Sequence, residues 1–273
     1  MTRRLLQYQI DAFTDRPFRG NPAAVILTGA PLSEELMQAL AEENNLSETA
    51  YLVPRSAPGH YDLRWFTPTT EIEFCGHATI ASAHALAAEH RAQTDDDRAY
   101  VFHTRIGALR VTRPQDNYVL RAPAAKAAPT PVTAAMRAAF PAATITAAFH
   151  AGANLYLVFG SAADVQTLTP DFTAIIALSD HGVGITAPGF SDYDCVSRFF
   201  VPAEGINEDP VTGSAHAAIG PYWAHKLGKE NILAYQASAR GGALHLTITG
   251  DYVDIAGPAV TVMQSEIRLP AAI

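Results

Sequence analysis

The chain has 273 residues, 48% of them hydrophobic and 17% charged, which is the composition of a soluble globular protein of one large or two ordinary domains. Its net charge of −8, without any basic run, argues against a nucleic-acid surface. No segment reaches the roughly 20 apolar residues of a membrane span, the start has no apolar signal region, and two cysteines make no disulfide framework, so a cytoplasmic location is expected.

Residues 5–13 alternate apolar and polar as a strand does. A turn cluster, Asp15-Arg16-Pro17-Phe18-Arg19-Gly20-Asn21-Pro22, leads to a short apolar strand from Ala23 to Leu27. A surface helix follows. Ser33 is its expected N-cap, Glu34 and Glu35 suit its positive end, Leu32 can staple to Met37, and Leu36, Met37 and Leu40 form the inward face. It fades at Asn44-Asn45, and Thr49 to Val53 resumes a strand with Glu48 at its entry. Tyr61 to Phe66 is a further strand. Ala78 to Ala88 then holds six alanines with Ile80 and Leu86, so a helix here is apolar nearly all round and belongs inside a domain. His90 to Arg98 reads as a solvated loop, and 99–104, 107–113 and 117–122 as a meander of strands. Ala124 to Pro131 has the composition of a linker. Beyond it strands are expected near 145–159, 182–187, 193–201 and 232–263, with a helix near 170–178. Pro221 is expected to kink or end a second apolar helix.

That second helix is an echo of the first. Gly213 in Thr212-Gly213-Ser214-Ala215-His216-Ala217-Ala218-Ile219 lies 137 residues after Gly76 in Cys75-Gly76-His77-Ala78. Arg64-Trp65-Phe66-Thr67-Pro68 is answered by Arg198-Phe199-Phe200-Val201-Pro202, the run from Arg105 to Val111 by that from Arg240 to Leu246, and Tyr118-Val119 by Tyr252-Val253. Four echoes in order mean two copies of one domain. The expected domains are residues 1–126 and 127–273, with the last strand free to cross back to the first. Many short strands with one buried helix per copy point to an α+β fold, a curved and mostly antiparallel sheet wrapped round that helix, and exclude a parallel α/β sheet. The two helix starts are expected to face each other across an interdomain cleft.

Paired glycines at two buried helix starts point to backbone N–H groups that hold a carboxylate or a developing oxyanion. Cys75 is a candidate thiolate by position, but a buried Cys is usually inert, and Thr212 stands at the matching place. His77 suits orienting a substrate or relaying a proton. A metal held by His77, His84 and His216 is rejected, because the spacing supplies no carboxylate partners. Glu48 is either a cleft-facing acid/base or an exposed loop residue, and Asp209 in Glu208-Asp209-Pro210 either a second acid or a partner of the helix dipole.

The chain resembles the PhzF-like isomerases, relatives of diaminopimelate epimerase. The motifs are Asp11-Ala12-Phe13, Gly20 to Val25, Asn45-Leu46-Ser47-Glu48-Thr49-Ala50, Phe66-Thr67-Pro68 with Glu71, and Cys75-Gly76-His77-Ala78-Thr79. In the second half they are Arg198 to Pro202, Glu208 to Ala215 and Gln236 to Gly242. The resemblance implies two similar domains of the diaminopimelate epimerase-like fold, a site between them, no cofactor and a homodimer. It places Glu48 on the family's catalytic acid/base, His77 and Asp209 on supporting catalytic positions, and Gly76 and Gly213 on anion-binding turns. Asn21, Cys75, Thr212 and Ser214 complete the expected substrate-binding set. The implied reaction moves a proton along a small, cyclic, unsaturated carboxylate. The rivals are an epimerase using Cys75 and a binding protein without chemistry.

Overall fold

The computed structural model describes residues 3–89, 99–115 and 117–270; the loop expected at His90–Arg98 lies outside them. In chain order the elements are β1 (Arg3–Ala12), β2 (Asn21–Leu27), α1 (Glu34–Asn44), β3 (Glu48–Pro54), β4 (His60–Phe66), β5 (Glu71–Ile72), α2 (Gly76–Ala88), β6 (Ala99–Thr104), β7 (Gly107–Thr112) and β8 (Tyr118–Pro123). Then come β9 (Ala128–Thr130), α3 (Ala134–Ala139), β10 (Ile145–Ala151), β11 (Asn154–Phe159), α4 (Ala162–Gln166), α5 (Phe172–Ile176), β12 (Val183–Pro188) and β13 (Cys195–Val201). After a 3-10 turn (Pro202–Glu204) follow β14 (Ile206–Asp209), α6 (Gly213–Leu227), β15 (Asn231–Gln236), β16 (Gly242–Thr249), β17 (Tyr252–Gly257) and β18 (Ala259–Leu269).

The chain divides into two compact units, Met1–Arg121 with Ala256–Ile273, and Ala122–Ile255. The expected division fell at 126/127, with the last strand free to cross back. β18 pairs with β1 from Arg3↔Leu269 to Ala12↔Ala259, so the last segment lies in unit 1. The expected linker is tied into unit 2, where Ala124 N–H donates to Asp251 O, Ala125 N–H donates to Ala217 O, and β9 pairs with β10.

Unit 1 has the order β18-β1-β2-β3-β4-β6-β7-β8, with β5 also paired to β4. The pairs β2/β3 and β4/β6 are parallel and the others antiparallel. Each parallel pair needs a crossover, and the crossovers carry α1 and α2. α2 is buried at ten of its thirteen residues and packs on β1, β2, β3, β7 and β18. α1 packs on β3 and β4. Six of the seven residues of β2 are therefore buried, a nearly continuous apolar run instead of an alternation. The α1 expectations hold in detail: the Ser33 hydroxyl accepts from Leu36 N–H, and Asn45 closes the helix in the left-handed region. Its buried face is Met37 and Ala41, with Leu36 and Leu40 half-buried.

Unit 2 repeats the order as β9-β10-β11-β12-β13-β15-β16, with β11/β12 and β13/β15 parallel and β14 paired to β13. The expected helix near 170–178 is the shorter α5, and the short helices α3 and α4 were not foreseen. Pro221 does not end α6, which runs to Leu227 and closes on Gly228 in the left-handed region. The missing N–H of Pro221 leaves the carbonyl of Ala217, four residues earlier, without its helix donor. Ala125 N–H fills that place at 2.9 Å. Among the described residues no helix is long and apolar enough to cross a membrane.

Candidate active site

In unit 1 the candidate residues converge on the start of α2. Asn21 opens β2 and Glu48 opens β3, and the parallel register sets Glu48 beside Ala23. Gly20, at φ +63°, makes the turn before Asn21; a Cβ there would lie 2.1 Å from Ala12 O, so only glycine fits. Asn45 ends α1, and three residues later the chain enters β3 at Glu48. Asn44 Nδ2 donates to Thr49 Oγ1 at 3.1 Å and braces that entry. Cys75 is the N-cap of α2, and His77 lies in its first turn.

His77 is the hub. Its Nε2 lies 2.9 Å from Glu48 Oε2, and its Nδ1 lies 3.1 Å from Asn21 Nδ2 and 3.4 Å from Cys75 Sγ. The Glu48 side chain is 13% exposed, which decides against an exposed loop residue. Its Oε2 is sealed from solvent beside the imidazole, and the approach is too oblique for a well-aligned hydrogen bond. Burial opposes a charge on His77, but Cys75 and Glu48 beside it outweigh burial and hold its pKa well above the ordinary value. The Cys75 thiol is pushed up to about 11, by burial first and by Glu48 second, against the pull of His77 and of Ala78 N–H. Burial thus overrides the helix start that favours a thiolate. Glu48, Cys75 and His77 place their donor atoms within 4.8 Å of one another, a set the rejected histidine trio did not include. These are donor types for zinc; in this structure the imidazole is engaged by Asn21 and Glu48.

Unit 2 gathers the other candidates at the start of α6. Thr212 is its N-cap, Gly213 is buried and Ser214 exposed. Thr212 Oγ1 donates to Asp209 Oδ2 at 2.5 Å, so Asp209 fastens the N-cap residue. Gln236, which the sequence did not single out as a site residue, accepts from Thr212 N–H at 2.8 Å and donates to Asp209 O at 2.6 Å. His216, also missed except as a metal ligand, donates from Nδ1 to Thr212 O at 2.8 Å and accepts from Ser197 Oγ at 3.1 Å. Burial pushes its pKa down to about 4, so it stays neutral. Gln236 comes from β15, and only the parallel pairing of β15 with β13 brings it here. No local signal announces such a partner.

The helix ends carry the same message. Side-chain oxygens of Ser33, Thr133, Ser161 and Asp171 cap α1, α3, α4 and α5. α2 and α6 have no side-chain cap, and glycine opens both. Their first-turn N–H groups are left to other acceptors, which suits an anion. A separate cavity of about 330 Å³ in unit 1 lies between Leu32, Met37, Tyr51 and Leu63 and touches none of these candidates. The arginines at its rim, Arg55, Arg64 and Arg105, are already paired with Asp62, Glu34 and Glu71.

A family model described as phenazine biosynthesis-like protein (PhzC-PhzF) matches residues 10–265. The chain belongs to the PhzF family. It is 43% identical to an uncharacterized isomerase of Pseudomonas aeruginosa, with 96% of this chain and 98% of that one covered. An uncharacterized isomerase of Halalkalibacterium halodurans is 40% identical over 96% and 98% of the two chains. The crystal structure of a PhzF-family protein from Enterococcus faecalis superposes with a TM-score of 0.91 at 39% identity, covering 97% of this chain and 99% of that one. This PhzF-family protein is an isomerase with the expected sheet-rich α+β fold.

Proposed function

We propose that this PhzF-family isomerase moves a proton within a small, unsaturated carboxylate by general acid/base catalysis, without a cofactor. Glu48 takes the proton from one carbon as the C–H electron pair enters the conjugated system. Its carboxyl proton, exchangeable with solvent, is then delivered to another carbon, so the bonds shift with no net oxidation. His77 holds one carboxylate oxygen of Glu48 from the protein side and leaves Oε1 for the substrate. Its raised pKa keeps a positive charge beside the developing anion. The uncapped first turns of α2 and α6, with Gly76 at one and Thr212, Gly213 and Ser214 at the other, are assigned to anionic groups. Asp209 is assigned the support of Thr212. Asn21 and Cys75 orient His77.

The observation that carries this reading is the 2.9 Å approach of Glu48 Oε2 to His77 Nε2 within a largely buried cluster of polar groups. The test is NMR in D₂O with trans-2,3-dihydro-3-hydroxyanthranilate as probe. Wild-type protein should isomerise it with deuterium uptake, and Glu48→Gln should lose on the order of 10²–10⁴-fold in rate while folding normally. A fully active Glu48→Gln protein would remove the mechanism. Cys75→Ala should cost little here, whereas an epimerase built on the thiol would be nearly abolished.

A further inference from the structure

We propose that two arginine–glutamate pairs, Arg64–Glu71 and Arg198–Glu208, are positioning residues that set the working starts of α2 and α6. The proposal rests on those starts serving the reaction proposed above, but its test needs no substrate, so either can fail alone. In unit 1, Arg64 Nε and Nη2 donate to the two carboxylate oxygens of Glu71 at 2.7 and 2.6 Å. In unit 2, Arg198 Nε and Nη2 donate to those of Glu208 at 2.7 and 2.8 Å. Each guanidinium also lies over the ring two residues further along its own strand, Phe66 at 5.2 Å and Phe200 at 5.1 Å. A forked pair stacked on a ring fixes distance and direction together, which a single charge contact does not.

The spacing shows what the pair is for. Arg64 and Glu71 are 7 residues apart, and Arg198 and Glu208 are 10 apart. The three extra residues fall between arginine and glutamate, where the second copy has its 3-10 turn. From glutamate to N-cap, however, the count is the same, four residues from Glu71 to Cys75 and four from Glu208 to Thr212. The two copies differ in the loop and agree in the segment that delivers the helix start. The N-cap carbonyl is held from the helix side too, by Thr79 Oγ1 at 2.6 Å from Cys75 O and by His216 Nδ1 at 2.8 Å from Thr212 O. Each uncapped start is thus fixed from two directions.

The test is amide hydrogen exchange on full-length protein carrying Arg64→Lys, Glu71→Gln, Arg198→Lys or Glu208→Gln. Lysine keeps the charge and loses the fork; glutamine keeps the shape and loses the charge. Exchange over residues 75–79 in the unit 1 variants, and over 212–216 in the unit 2 variants, should quicken about ten- to a hundred-fold. The strands β7 and β10 should keep wild-type rates. The imidazole of His77, followed by NMR in Arg64→Lys, should titrate closer to its ordinary value as its hold on Glu48 loosens. Equal quickening throughout a unit would make the pair a structural one and overturn the proposal. So would wild-type protection at the helix start in the lysine variants. If a lysine variant does not fold, the near-isosteric glutamine variant of the same pair decides.

Discussion

His216 shows how a single residue ties the site to pH. Buried and neutral, it joins Thr212 O to Ser197 Oγ, and its pKa is pushed down to about 4. In the unfolded chain it titrates near the ordinary value of about 6.5. Between those limits the unfolded state binds more protons, so stability rises with pH there. The contribution is complete above about 6.5 and is lost as pH falls toward 4, on the order of 3 kcal/mol at most. His84, pushed down to about 4 by burial and by Arg113, adds to the same acid limb. His77 has the opposite sign: its pKa is raised, so its contribution is present below about 6.5 and is lost as pH climbs through its folded value. Urea denaturation of His216→Gln at several pH values should show a flatter slope between 6.5 and 4 than wild type. An unchanged slope would contradict the burial argument. Glu48, Cys75 and His77 were legible as candidates, but not whether the Glu48 side chain would be buried. Its burial comes from the β2/β3 register, and a sequence does not display register.

At the scale of elements, the turns that deliver the site are stricter than the strands around them. Gly20 combines φ +63° with a Cβ position already filled by Ala12 O and by Thr14 Cγ2 at 2.7 Å. Gly20→Ala should therefore lower the chemical denaturation midpoint by the equivalent of about 1–3 kcal/mol; a wild-type midpoint would mean the turn can relax. Capping was readable for α1, where Ser33 stands before two glutamates and an apolar face. The course of α6 was not. A proline in a helical pattern signals a break because one carbonyl loses its donor, and whether another donor replaces it is a tertiary matter. Ala125, 92 residues earlier than Ala217, supplies it. The unforeseen helices α3 and α4 are six and five residues long, too short for a 3.6-residue period to show.

For the whole molecule, the repeat was the most readable feature, because each echo marks the same place in both copies. Arg64 and Arg198 lie on β4 and β13, which hold matching positions in their sheets, and Gly76 and Gly213 open the two central helices. The crossing back of the last strand was allowed for but not its partner: β18 pairs with β1, joining residues more than 240 positions apart. Removing residues 259–273 should test the weight of that pairing. It strips β1 of one neighbour along ten residue pairs, so unit 1 should lose its cooperative unfolding transition while unit 2 keeps its own. A single unaltered transition would show that β18 is dispensable.

The same β18–β1 pairing has a consequence for synthesis. Chains usually fold from the N-terminus as they leave the ribosome. Here β1 cannot complete its pairing until β18, more than 240 residues later in the chain, has emerged, whereas Ala122–Ile255 is one continuous stretch. The second unit can therefore finish before the first. Until β18 emerges, the outer edge of β1, with Leu5, Tyr8 and Ile10 along it, waits unpaired. A nascent chain arrested just before β18 is thus the form most exposed to a wrong strand partner, and the one a chaperone would have most reason to hold.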